Sequence, residues 1–498
     1  MLASSSTLAL AAAGFYVLPA ALAQTVSNET ILGVYMFHRH GDRTAKMTPP
    51  ANLTTLGYQE VYTSGQYYRN RYIDSDATYR INGVNADLVK QSQIAVSAPA
   101  DTVLQNSATG FLQGLYPPSG SGHDTETLRN GTVITAPMSG YQLIPISLVT
   151  SGSGGSGEED NGWLQGATGC AAATVSSNNY FLSDQYKTLL NSTQDFYETY
   201  TPVINNTFAS SAISYKNAYT IFDLVNVAEI HNATFDPNNI VTNESFFQLR
   251  TLANTHEWGL AYNQSDNMRA IAGKVLAAQI VQFLNGTITG EGSQKIGIQF
   301  GAYGTFASFF GLAIPNIETH APSLMGVADY ASAMTFELFT NTSAPVSKTS
   351  YPSPDEIYVR FLFHNGTTSN TSEPQVYQLF GMEQDTLSWH DFTSQMNDFA
   401  VGTMEQWCTS CGNFTGSCAA YASNSSSSGR GSSTSLSKST SGNGLSPAVN
   451  GVIGAMVTLA VVLGIEGLIL LLGGWRVVSK KSLARGPAEH VRDGPVKA

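Results

Sequence analysis

One stretch near the C-terminus divides the chain before any other feature is weighed. Val449 to Trp475 is 27 residues long and carries a single charge, Glu466. That exceeds the roughly 20 residues a helix needs to cross a bilayer. Behind it, Arg476, Lys480 and Lys481 open a 23-residue tail with six basic and two acidic residues. Basic residues just past a span stay cytosolic, so the rest of the chain is expected outside the cell or in a lumen. A lipid-anchor signal would end within the apolar run, and this chain continues beyond it. An ionised Glu466 at mid-bilayer would be costly, so it is read as protonated or as a contact to another helix.

The N-terminus agrees with that topology. Met1 to Ala23 is apolar and closes on Ala21-Leu22-Ala23, a small-x-small cleavage pattern before Gln24. The expected organisation is a signal peptide at 1–23, a globular ectodomain at 25–418, and a Ser/Thr/Gly-rich stalk at 419–446. A transmembrane helix at 449–475 and a cytosolic tail at 476–498 complete it. This predicts a single-pass type I protein of the secretory pathway, at the plasma membrane or another endomembrane.

Only 12% of the residues are charged, about half the usual share, while 42% are hydrophobic. A sizeable core is therefore available and global disorder is excluded. The formal charge is −12; setting aside Glu466 and the basic tail leaves −15 on the ectodomain. That balance excludes a nucleic-acid partner, which needs a basic face. Fourteen Asn-x-Ser/Thr sequons would supply the missing solvation as glycans: Asn28, Asn52, Asn130, Asn191, Asn205, Asn232, Asn243, Asn263, Asn285, Asn341, Asn365, Asn370, Asn413 and Asn424. Cys170, Cys408, Cys411 and Cys418 predict two disulfides in an oxidising compartment, with three pairings open. Trp407-Cys408-Thr-Ser-Cys411 has redox-motif spacing, but it sits at the end of the globular region and is read as structural.

Ile31–Phe37, Ile94–Ser97, Ile296–Phe300, Ala333–Phe339 and Ile357–Phe363 read as strands. Tyr58–Tyr72 and residues 101–114 read as helices. Phe181–Tyr200, Asn217–His231, Glu244–Tyr262 and Met268–Leu284 also show helical spacing. The pattern is an α/β domain with a helical insertion at roughly 150–290.

The chemistry lies after the first strand, in His38-Arg39-His40-Gly41-Asp42-Arg43-Thr44. The C-terminal ends of strands in an α/β sheet are where ligands bind. Two guanidinium groups can hold a phosphate by paired charge-assisted hydrogen bonds, and Gly41 lets the backbone turn tightly between them. A histidine held there can attack phosphorus.

This Arg-His-Gly-x-Arg run resembles the signature of the histidine acid phosphatases, the branch that includes phytases, and the likeness is strongest to fungal members. Thr55-Leu56-Gly57 with the following helix, and the block from Ser97-Ala-Pro-Ala-Asp101-Thr102 through Ser107, Phe111, Gly114 and Pro117, resemble the family's next blocks. His256-Glu257-Trp258 is similar to a segment of its helical insertion, so that His-Glu pair is read as structural. The resemblance covers about residues 30–410. It implies a phosphoglycerate-mutase-like α/β sandwich with an inserted, mainly α-helical cap. It also implies His40 as nucleophile and Arg39 and Arg43 as phosphate ligands, with no metal and no cofactor.

Two departures bear on activity. The family places a third phosphate-binding Arg where this chain has Thr102, whose hydroxyl can still reach a phosphate oxygen without the charge. A Gly-His-Asp strand end, whose His binds phosphate and whose Asp protonates the leaving oxygen, is Gly301-Ala302-Tyr303 here. A phenol, with an ordinary pKa of about 10, is a poor proton donor. His390-Asp391 repeats the missing dipeptide but falls far too late in the chain. The expectation is a membrane-anchored phosphatase-like module that binds a phosphate or phosphomonoester with weak or absent turnover; the alternative is an acid phosphatase working through a phosphohistidine. No protein partner can be named.

Overall fold

The first apolar run forms the central strand of the molecule. In the computed structural model, which describes residues 29–120, 123–149, 169–236 and 238–422, this strand, β1, spans Thr30–Arg39 and is buried along nearly its whole length. The expected signal segment, membrane span and tail, most of the stalk, and the sequons Asn28 and Asn424 lie outside the described residues.

β1 is followed by β2 (Ile94–Pro99), β3 (Thr125–Thr127), β4 (Val133–Thr135), β5 (Ser147–Val149) and β6 (Ile296–Gly301). Then come β7 (Ala333–Thr340), β8 (Ile357–His364), β9 (Gln375–Val376) and β10 (Thr386–Ser388). The main sheet runs β10-β8-β7-β1-β6-β2-β5, with β9 on β8, while β3 and β4 pair separately. β1, β6, β2 and β5 are parallel, whereas β7, β8 and β10 add antiparallel strands on the other side of β1. The sheet is thus mixed. A continuously apolar strand reports burial on both faces but not strand direction.

Both faces of β1 are covered. Leu32, Tyr35 and Phe37 pack against the helices Ile271–Thr289, Tyr303–Ala313 and Trp389–Asn397. Ile31, Val34 and Met36 face the helices α1 (Thr55–Tyr72) and α2 (Thr102–Leu115). The strict alternation breaks between Ile31 and Gly33, where the β1/β7 register shifts. A bulge there moves the side chains by one place and keeps both sets apolar. The helix Ile271–Thr289, with the turn before it, is long and apolar enough to cross a membrane, yet it is a core helix on this sheet.

Between β5 and β6 the described chain is helical, with its own tyrosine-rich core around Tyr197, Tyr200 and Tyr215. The long helix expected over Phe181–Tyr200 is broken instead into Asn179–Leu182, Asp184–Ser192 and Gln194–Glu198. Ser183 caps the second piece by accepting from Tyr186 N, and Thr193 Oγ1 bonds back to Leu189 O at 2.7 Å. Hydroxyl side chains that bond the local backbone compete with helix continuation.

The cysteines pair as Cys170–Cys411 and Cys408–Cys418, which resolves the three possibilities. Cys408 and Cys411 are each bonded elsewhere, so their spacing forms no dithiol. Of the twelve described sequon asparagines, ten are exposed, and Asn263 and Asn413 are half-buried.

Candidate active site

β1 and β6 are paired in parallel with Arg39 opposite Gly301. The loop from His40 to Thr44 and the residues Ala302 and Tyr303 therefore leave the same edge of the sheet, side by side. Pro99 ends β2 on that edge, Asp101 caps α2 by accepting from Leu104 N, and Ser107 Oγ accepts from Gly41 N at 3.2 Å.

Gly41 is required by close approach rather than by an unusual φ. A Cβ there would lie 2.2 Å from the Gly57 carbonyl oxygen, and one on Gly57 would lie 2.0 Å from that of Asp42. Two glycines thus let the start of α1 rest directly on the motif loop. Thr54, the N-cap of α1, accepts from Gly57 N and donates to Asp42 Oδ1 at 2.5 Å.

His40 is fully buried, with Nδ1 2.7 Å from the Gly41 carbonyl oxygen. A carbonyl only accepts, so Nδ1 carries a proton in this bond, and Nε2 is the ring nitrogen that the bond leaves unused. His38, by contrast, belongs to the core. Its ring lies between Phe111 and Phe300, and burial pushes its pKa down to about 4.

Arg39 donates through Nη1 to the Ala328 carbonyl, and its guanidinium lies 4.7 Å from the Tyr330 ring centre and 5.3 Å from that of Tyr303. Its Nε is buried and meets no acceptor among the described residues. Arg43 is fully buried against Asp223, with Nη2–Oδ1 at 3.0 Å and Nη1–Oδ2 at 3.2 Å, and donates to Tyr219 Oη at 3.3 Å. Asp223 Oδ2 also accepts from Lys46 N at 2.8 Å.

Asp42 is held by His231 Nε2 at 2.6 Å, and its backbone N donates to Glu60 Oε2 at 2.7 Å. Burial raises the Glu60 carboxyl to about 7, against the opposing pull of that amide; the nearby Asp42 charge adds to the rise. Burial also pushes the Tyr330 phenol far up, so it stays protonated.

At the end of β6, Ala302 is buried, and Tyr303 begins the next helix. The Tyr303 hydroxyl donates to Glu257 Oε2 at 2.8 Å, while His256 Nδ1 donates to Glu257 Oε1 at 2.8 Å. The Tyr303 and Tyr219 rings are 4.7 Å apart, and Lys46 Nζ lies 5.3 and 5.7 Å from the Tyr219 and Tyr303 ring centres.

Arg39, His40, Arg43, Ala302 and Tyr303 therefore converge on one edge. Thr102 is on the same edge but is exposed, in the first turn of α2, with no hydrogen bond to the motif among the described residues. His390 and Asp391 stand apart. His390 pairs with exposed Asp355, and Asp391 shares a cap with Ser388.

Sequence reasoning missed Asp223, His231 and the contact of Glu257 with Tyr303. Asp223 did carry a signal: it is the only charge in the apolar run Ala218–Val227, four residues from Tyr219 on the same helical face. A lone acid on a buried face needs a cation, and Arg43 is that cation.

These features define an α/β protein with an arginine- and histidine-bearing loop at a strand end. The chain belongs to the histidine phosphatase superfamily (branch 2), whose profile matches residues 45–364, beginning directly after the motif loop. No curated protein matches it in a direct sequence comparison. Among solved structures, the apo phytase of Hafnia alvei is similar at 12% identity over 77% of this chain and 98% of its own, with a TM-score of 0.49. The phytase from D. castellii is similar at 13% identity over 78% and 82%, with a TM-score of 0.44. The multiple inositol polyphosphate phosphatase of Bifidobacterium longum, in complex with inositol hexasulfate, is similar at 12% identity over 76% and 94%, with a TM-score of 0.42.

Proposed function

We propose that this chain is a membrane-tethered, glycosylated surface module whose phosphatase-type site binds a phosphate or phosphomonoester and turns it over slowly or not at all. The observation that carries this reading is the end of β6. Beside His40 it delivers Ala302 and Tyr303, and the Tyr303 proton is directed to Glu257 rather than held for a leaving oxygen. Attack of His40 Nε2 on phosphorus would form an N–P bond and break the ester P–O bond, and the departing oxygen would then need a proton. A placed general acid is typically worth 10²–10⁴ in rate, so about that factor is missing. The third arginine is absent at Thr102, and the Arg43 charge is already answered by Asp223.

Retained anion binding is supported by Arg39, whose buried Nε lacks an acceptor among the described residues; an oxyanion would supply one. A second reading, slow hydrolysis of esters with good leaving groups, is favoured by the His40–Gly41 hydrogen bond, which leaves Nε2 unused. The topology and sequons expected from the sequence support a position for this module on the outer or lumenal side of a membrane.

Calorimetric titration of the full-length protein with inorganic phosphate tests the binding claim. Arg39→Met should weaken the interaction at least about tenfold, the scale of a charge-assisted contact. Phosphate binding that is unchanged in Arg39→Met would remove the claim.

A further inference from the structure

At the N-terminal edge of the parallel strands, a cavity of about 300 Å³ is lined by Lys90, Lys295 and Lys348 together with Tyr351. It lies on the far side of the sheet from His40. Lys295 O accepts from Val34 N, and six strand residues, roughly 20 Å, separate Val34 from His40. Residues 29–422 contain only seven lysines, and three of them line this one cavity.

None of the three makes an ion pair among the described residues. Glu291 also lines the cavity but is bonded to none of them, so the lining has a formal charge of +2. Lys295 is buried, and its ammonium, with three protons to place, has one acceptor among the described residues, Asn82 O at 2.6 Å. Burial, then the charges of Lys90 and Lys348, push its pKa down. Tyr351 Oη is buried without a hydrogen-bond partner among the described residues. Both groups face the same space. A Cβ on Gly292, which sits at φ +71°, would fall 3.1 Å from Lys295 Nζ and 3.8 Å from Tyr351 Oη. The missing side chain leaves that space open between two unsatisfied donors, with Lys90 and Lys348 exposed at its rim.

We infer that this cavity is a second anion site, built for a phosphate dianion that is free or carried on a small organic body. The charge matches, since a phosphate group holds close to two negative charges at neutral pH. Its oxygens accept from the Lys295 ammonium and the Tyr351 hydroxyl, which are otherwise left short of partners. The volume exceeds that of a bare phosphate and leaves space for a small attached group.

Lysine-by-lysine reductive methylation of the full-length protein, read by peptide mass spectrometry, tests this. Millimolar inorganic phosphate and glycerol phosphate are compared with chloride at equal ionic strength. Labelling of Lys90 and Lys348 should slow about fivefold or more at concentrations several times the dissociation constant. The exposed Lys187 and Lys216 should keep their rates, and Lys348→Ala, an exposed change, should reduce the protection of Lys90. Protection at lower concentration by one probe identifies the free or the esterified form. Equal labelling of Lys90 and Lys348 in chloride and in both phosphates would overturn the site. Lys46, in the His40 site, reports that site separately in the same digest.

Discussion

At the motif, Arg43 is answered by the Asp223 carboxylate while Arg39 keeps a buried Nε without an acceptor among the described residues, and that contrast decides what the site can do. Arg43 meets Asp223 in a fully buried bidentate pair, so a ligand finds it already neutralised. Removing Asp223 alone would leave a buried guanidinium uncompensated, which is costly in itself. Glu60 offers a sharper test. Its carboxyl sits at about 7 in the folded protein and at its ordinary value of 4.5 when unfolded, so the folded state holds the extra proton. Its contribution to stability is therefore present at low pH and lost as pH rises from about 4.5 to 7, by up to about 3 kcal/mol. His38 acts the other way. Buried neutral with a pKa of about 4, it costs stability as pH falls from 6.5 to 4. The two windows overlap, so the wild-type curve alone is ambiguous. The difference between Glu60→Gln and wild type in urea denaturation should grow in favour of the variant across pH 4.5 to 7. A constant difference would show that burial does not raise Glu60.

At the scale of elements, strands and most helices were legible from uninterrupted apolar runs and three-to-four spacing. Ile94, Ile296 and Ala333 begin strands where the sequence placed them. Strand direction was not legible, because β7 and β8 are as apolar as their parallel neighbours. The break at Ser183 and Thr193 was hidden for a similar reason, since a hydroxyl residue inside a helical pattern reveals its cap only once the backbone is seen. Disulfide connectivity depends on three-dimensional proximity. Cys170–Cys411 joins residues 241 apart, anchoring the helix Ala171–Asn178 beside Met404–Cys411. Closing so long a loop restricts the unfolded chain strongly. The double variant Cys170→Ser/Cys411→Ser should lose about 2–5 kcal/mol in chemical denaturation, with Cys408–Cys418 kept as an internal control. An unchanged midpoint would mean that the core around Trp407 holds these helices without the bond.

Across the whole molecule, the motif loop was legible because Arg39, His40 and Arg43 are adjacent in sequence. The residues that modify it were not, because Asp223 and Glu257 arrive from inserted helices about 200 residues away. The scarcity of charge noted in the sequence recurs in the fold as a division of labour. One edge of the sheet carries an arginine-histidine loop beside Ala302 and Tyr303, and the opposite edge gathers three lysines. The central claim is that the first edge binds phosphate without the proton needed to release a poor leaving group. Phosphate release from a simple alkyl phosphate and from an activated aryl phosphate, by full-length protein and by His40→Ala, addresses it directly. Alkyl phosphate release should be indistinguishable from His40→Ala, and any His40-dependent rate should be confined to the aryl ester. A His40-dependent rate on the alkyl ester within about tenfold of the aryl rate would contradict the account, because it would require a general acid at the site.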